Sequence, residues 1–176
     1  MEYKEKVSYK VDKKNVIVEV SDDWVAAAKV GEANDLIDVN SVLGTKLFSY
    51  ILGDSTRMYY DVIFQKCRLL KKEHKIAYRC DSSTHKRFME MQIVPRSSKD
   101  LDIYNYLIKD EPFRHPINIY ENVPYNRKKP VMRCSICNSL KLSLNSEWVF
   151  PEDLVQNEEQ DFTVIYSVCP NCRSKN

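Results

Sequence analysis

Four of the six cysteines in this chain stand in two C-x-x-C pairs. Cys134 and Cys137 lie in "MRCSICNSL", and Cys169 and Cys172 in "YSVCPNCRSKN". A two-residue spacing lets a pair wrap a tight turn around one face of a tetrahedral ion, and two pairs supply four thiolates, a closed structural shell. Zinc is the expected ion; a redox dithiol and rubredoxin-like iron are the competing readings of the same spacing. Asn138 and Arg173 follow the pairs where a rubredoxin-type knuckle favours glycine, which weighs against iron. Four cysteines leave no open position for water or substrate, so the expected metal is structural and not catalytic. Cys67 and Cys80 have no partners at metal spacing: Cys67 is expected in the core, and Cys80, at a strand end, is open to a core or a functional role.

The elements that would position the four thiols are short. "TVIYSV" reads as a strand delivering Cys169, and "KLSL" as a second strand leaving the first pair. Between them "NSEWVFPEDLV" has helix-start residues, Asn145 and Ser146, and an apolar stripe of Trp148, Val149 and Leu154, with Pro151 shortening or breaking that helix. A segment of about 45 residues is too small to bury a sufficient core alone, so a metal staple is expected. Removing the ion is expected to unfold this tail and leave the upstream part folded.

Upstream the periodicity changes twice. "NVIVEV" is a strand, and "SDDWVAAAKVGEAN" a helix around Trp24 capped by Ser21 or Asp22 and closed at Gly31. "DVNSVLGTKLFSYILGDS" predicts one short amphipathic helix through Val42, Leu43, Leu47, Phe48 and Ile51 that ends at Gly53. A longer helix follows over 54–72, with Tyr59, Ile63, Cys67 and Leu70 on one face. Alternation then sets in: "HKIAYRCDS" and "KRFMEMQIVP" form a hairpin around the polar "CDSSTHKR", and "LDIYNYLI" adds another antiparallel strand after the turn "RSSKD". Residues 109–130 carry four prolines, yet Phe113, Ile117, Ile119 and Tyr120 are too apolar for a free linker.

Strand, short helices, a long helix and a run of antiparallel strands is an α+β order. "VSDDWVAAAKVGEAN", "VLGTKLFSYI" and the strands beginning "KIAYRCDS" together resemble a PAS domain from about residue 16 to 108. The resemblance implies a curved antiparallel sheet with helices over one face, used for sensing or for protein association, frequently as a dimer. The predicted organisation is a PAS-like domain over 1–110, a proline-rich connector over 111–130 and a zinc-binding module over 131–176. Flavin-binding members of that family carry asparagine-cysteine-arginine-phenylalanine on the long helix, whereas this helix has "QKCRLL"; His74, His85 and His115 read as surface or loop residues instead of haem ligands. Aromatic and methionine side chains either fill the sheet's core or line a small-molecule pocket.

Composition narrows the function classes. The 176 residues carry 27 Lys and Arg against 25 Asp and Glu, a net charge of +2, too small to argue for nucleic acid on its own. The runs Lys71–Lys72 and Arg127, Lys128, Lys129 read as solvated surface. "MEYKEKVSYK" alternates charges without an apolar core, so it reads as neither signal peptide nor membrane anchor, and the expected location is cytoplasmic, where thiols stay reduced. With three glycines there is no phosphate loop, and no serine elbow or metalloprotease motif occurs. The adjacent carboxylates Asp22 and Asp23, or Glu158 and Glu159, point in different directions and read as caps or surface charge. "YRCDSSTHKR" gathers Cys80, Asp81, His85 and Arg87, a polar hairpin loop more simply than a catalytic constellation. The expected function is a non-catalytic sensor or signalling adaptor with a small-molecule ligand, a protein partner or a second copy. The alternative is a nucleic-acid-associated regulator. The association surface is expected on the sheet's outer face and the first strand, where Val7, Tyr9 and Val11 cover either a partner or their own core.

Overall fold

The computed structural model of the chain describes residues 5–31, 33–121, 130–154 and 160–175. The basic run at 127–129 and the Glu158–Glu159 pair lie outside them. β1 (Glu5–Val11) and β2 (Ile17–Val20) form a hairpin. Its turn is held by Asp12, whose Oδ1 accepts from the backbone N–H groups of Lys14 at 2.8 Å and Val16 at 2.9 Å. The chain crosses the sheet through α1 (Trp24–Val30), α2 (Val39–Val42) and α3 (Asp54–Leu70) before β3 (His74–Arg79), β4 (His85–Pro95) and β5 (Leu101–Pro112). The strand order is β2-β1-β5-β4-β3, with every pairing antiparallel. This is the α+β architecture that the PAS resemblance implies.

Period-two alternation decides which face is buried. Val11, Ile17, Ile76, Met91, Ile93, Leu101 and Ile103 turn to the helices, where Tyr60, Ile63, Phe64 and Cys67 of α3 meet them in one cluster. The opposite face carries Tyr104 and Tyr106, stacked at 6.4 Å, beside Glu90 and Gln92. Phe64, 1% exposed, gains about 1.5–3 kcal/mol from that burial.

A second sheet has the order β6-β9-β7-β8. β6 (Ile117–Tyr120) and β7 (Val131–Cys134) both pair in parallel with β9 (Gln160–Ser167), and β8 (Leu140–Lys141) turns back on β7. α4 (Pro151–Leu154) and α5 (Pro170–Arg173) complete the described elements. Thus the apolar residues of the proline-rich stretch join the tail's sheet: Ile117 is 4% exposed, and its N–H donates to Ser83 O at 2.8 Å.

Several sequence expectations need correction. The helix expected through Val42 and Ile51 is α2 followed by a separate 3₁₀ turn over Leu47–Ser49, because Gly44 at φ +82° breaks the path between them. Asp23 takes the cap position of α1 without a side-chain bond, while Ser21 Oγ accepts from Ser8 N instead. On α3 the buried face runs through Thr56, Tyr60, Ile63, Phe64 and Cys67; Leu70 is 57% exposed, being past the end of the sheet's cover. In the tail Pro151 starts the helix, supplying its first position, and does not interrupt one begun at Asn145. Val7, Tyr9 and Val11 cover their own core, with Val11 fully buried in the cluster and Val7 and Tyr9 packed on it, since β1 is an inner strand of the sheet.

Candidate metal centre and ligand cavity

β7 ends on Cys134, and the turn after it carries Ser135, Ile136 and Cys137. β9 leads into Cys169, and α5 carries Cys172 in its single turn. Because β7 and β9 are parallel neighbours in register at Cys134 and Ser167, both cysteine pairs arrive at the same end of the sheet. The four Sγ atoms all lie within 4.8 Å of one another, and Cys134, Cys169 and Cys172 are buried. Cys137 and Cys169 have sulfurs 3.8 Å apart, the separation that a tetrahedron with metal–sulfur bonds of about 2.3 Å requires. Backbone amides are aimed at the sulfurs: Cys169 N donates to Cys134 Sγ at 3.3 Å and Cys172 N to Cys169 Sγ at 3.4 Å. Such donors favour the charged thiolate that a metal needs. Hydrogen bonds from Cys134 and Ser139 draw the Cys137 thiol below its ordinary value, while burial pushes Cys172 up. Asn138 takes the left-handed conformation, φ +62°, that closes the first knuckle. Four cysteines in this arrangement are able to bind a metal ion.

The centre is not an appendage held at a distance. Cys134, Ile136, Val168, Cys169 and Cys172 belong to the same buried cluster as α3 and the first sheet. Thr56 Oγ1 and Ser135 Oγ are 2.7 Å apart, Arg79 N donates to Ile136 O at 2.8 Å, and Gly53 lies directly against the Tyr166 carbonyl. Arg79 ties the modules electrostatically. It donates to Asp81 at 2.7 Å and to Glu152 at 2.9 Å, and its guanidinium sits over the rings of Phe88 and Phe150 at 5.5 and 5.4 Å. Its hydrogen bonds to Glu152 and Asp81 raise its pKa further against the opposing effect of burial.

Between the helices and the first sheet lies a mainly apolar cavity of about 740 Å3. Trp24, Tyr60, Phe64, Met89 and Met91 are among the side chains that line it. Trp24 is fixed by an Nε1–H bond to Leu36 O at 2.8 Å and by an edge-on contact with Tyr9. Tyr78 donates to Asn105 Oδ1 at 3.0 Å on the same wall, and burial raises its phenol well above the ordinary value.

Of the remaining sequence candidates, Cys67 is a core residue whose thiol is raised by burial. Cys80 is exposed yet lines the cavity, its thiol raised by the surrounding protein. Asp81 is occupied by Arg79 and by the N–H of Arg87, which leaves it unlike a catalytic base, and His85 Nδ1 lies 2.9 Å from Thr84 Oγ1. None of His74, His85 and His115 lines the cavity. Arg79, Arg133 and Asn138 escaped the reading of the sequence; the one signal for the last two is that they flank Cys134 and Cys137.

No protein-family model matches the chain, and no curated protein matches it. Among solved structures, a domain of an HTR-like protein from Haloarcula marismortui ATCC 43049 is 11% identical with a TM-score of 0.43, over 59% of this chain and 98% of that one. A sensory box sensor histidine kinase from Vibrio cholerae is 10% identical with a TM-score of 0.42, over 62% of this chain and 83% of that one. These are coarse likenesses, and the class stands on the chain's own architecture: a five-stranded antiparallel sheet, helices over one face and a cavity between them. The protein is an α+β protein with a five-stranded antiparallel sheet, helices over one face, and a tetracysteine cluster at one end of a second, smaller sheet. Among the described residues no helix is long and apolar enough to cross a membrane.

Proposed function

We propose that the protein is a non-catalytic sensor or signalling adaptor of the cytoplasm, in which the PAS-like cavity receives a small molecule and one structural zinc ion closes the tail on Cys134, Cys137, Cys169 and Cys172. The observation that carries this reading is the mainly apolar cleft of about 740 Å3, since concave apolar clefts of this size are where small molecules bind. Tyr60 lines that cavity and packs in the same cluster as Cys134 and Cys169, so a ligand that shifts α3 acts directly on the tail. The output is then an association with a protein partner or a second copy. Four thiols closing a tetrahedral shell favour a structural metal over a redox dithiol, and Asn138 and Arg173 in place of knuckle glycines favour zinc over rubredoxin-type iron.

Native mass spectrometry of protein purified without denaturant is expected to show one zinc and one small non-covalent ligand per chain. A chain free of ligand whose Trp24 fluorescence responds to no added small apolar molecule would overturn the sensor reading. Less than one zinc per chain from zinc-replete medium, or disulfides in reducing buffer, would overturn the zinc assignment.

A further inference from the structure

A second cavity, of about 810 Å3, lies between the two sheets and belongs to neither the metal centre nor the apolar cavity. The two cavities are neighbours: Tyr50, Ile51, Tyr60, Cys80 and Arg87 line both. The second differs in chemistry, being walled by Ser82, Ser135, Asn138, Arg133 and Tyr166. Arg133 is 9% exposed and Asn138 5%, and Arg133 Nε and Asn138 Nδ2 have no hydrogen-bond partner among the described residues. Buried donors without acceptors are rare in folded proteins, and both belong to residues of this cavity's lining, which suits a ligand bearing acceptor oxygens. Arg133, Tyr166 and Cys80 all line this cavity.

Charge selects the kind of oxygen. Arg79 lines the same wall, but Asp81 and Glu152 take up its charge. Glu121 is also in the lining and accepts from Tyr166 Oη. With Arg79 paired, the lining keeps Arg87 and Arg133 against Glu121, one net positive charge, which with a side-chain amide suits the two oxygens and single charge of a carboxylate; a phosphate dianion carries more than that. Past the shared residues, the rest of such a ligand would lie against Trp24, Phe64, Met89 and Met91.

We propose that the two cavities form one site for an organic carboxylate, with its anionic head at Arg133 and Asn138 and its apolar body in the PAS-like cavity. The site rests on the ligand-receiving reading of that cavity and names the ligand's class. Its head is held by residues adjacent to Cys134 and Cys137, so occupancy bears on the knuckle itself.

Isothermal titration of the full chain, zinc retained, with octanoate and with octan-1-ol tests this. Octanoate is expected to bind at least tenfold more tightly than octan-1-ol. Arg133→Met should remove that preference and leave octan-1-ol binding unchanged. Asn138→Gly should weaken octanoate at least threefold, and its left-handed backbone suits glycine, so it decides the matter if Arg133→Met does not fold. Circular dichroism and zinc content report folding of each variant. Equal binding of acid and alcohol, or octanoate affinity unchanged in folded variants, overturns the carboxylate site and leaves the apolar cavity's role standing. Binding of neither compound overturns both.

Discussion

Thr56, in the first turn of α3, and Ser135, between the first two cysteines, face each other hydroxyl to hydroxyl at 2.7 Å. Thr56 is only 2% exposed, so the pair is a buried polar clasp between the PAS-like module and the knuckle. Thr56→Val keeps the shape and removes the hydroxyl, leaving Ser135 without this partner. The expected cost is about 1–2 kcal/mol, or about 2–8 °C in melting temperature for a chain of this size. Zinc transfer to a colorimetric chelator should also speed up. An unchanged melt and an unchanged transfer rate would show that the clasp contributes nothing.

Gly53 and Gly44 both sit at φ +82°, but only Gly53 is crowded: a Cβ there would stand 2.7 Å from the Tyr166 carbonyl oxygen, whereas nothing lies within 4 Å of one at Gly44. Gly44→Ala should therefore cost only backbone strain, about 1–2 kcal/mol. Gly53→Ala adds a backbone clash and should cost more, with the excess appearing as faster proteolysis in β9. Equal losses in the two variants, measured by urea unfolding, would mean the tail moves off α3 freely.

Metal removal is expected to reach beyond the tail. Cys134, Ile136, Val168, Cys169 and Cys172 share a core with Tyr60 and Phe64, so Cys137→Ser or a strong chelator should lower one cooperative transition and reduce amide protection in α3. The sequence alone had pointed to a tail that unfolds by itself. Hydrogen exchange that changes only after residue 130 would restore that simpler picture.

Arg79 and Asp81 have side chains 6% and 4% exposed, and Glu152 25%. Arg79→Met leaves Asp81 charged, buried and without its main partner, at an expected cost of about 3–5 kcal/mol. Lys10→Met at the exposed pair with Glu19 should cost far less, because water already screens that pair. Comparable losses from the two substitutions in urea unfolding would contradict this ordering.

Acid should loosen the β1–β2 turn through Asp12. The Val16 N–H, helped by that of Lys14, stabilises the carboxylate and holds its pKa below the ordinary value against the opposing effect of burial. A depressed folded pKa contributes stability above the unfolded value of about 3.9 and loses it as pH falls through the folded one. The stability gap between wild type and Asp12→Asn should therefore be steady above about pH 5 and shrink as pH falls from about 5 toward about 2. A gap that stays constant across that window would remove Asp12 from the acid response.

What local pattern dictates was legible without coordinates. The C-x-x-C spacing, the amphipathic run of α3 and the alternation of β3, β4 and β5 are each written within a few consecutive turns or residues, where 3.6- and 2-residue periods act. Short elements were not, because a four-residue helix such as α2 is decided by one left-handed glycine, and α4 by a proline whose role depends on which side of it the helix lies. The tail's place was beyond the sequence altogether. Its docking depends on contacts 79 residues apart between Thr56 and Ser135 and 73 apart between Arg79 and Glu152, which no periodicity encodes. The buried donors of Arg133 and Asn138 belong to that second kind: side chains that read as ordinary neighbours of cysteines become cavity walls only when the two sheets close on each other.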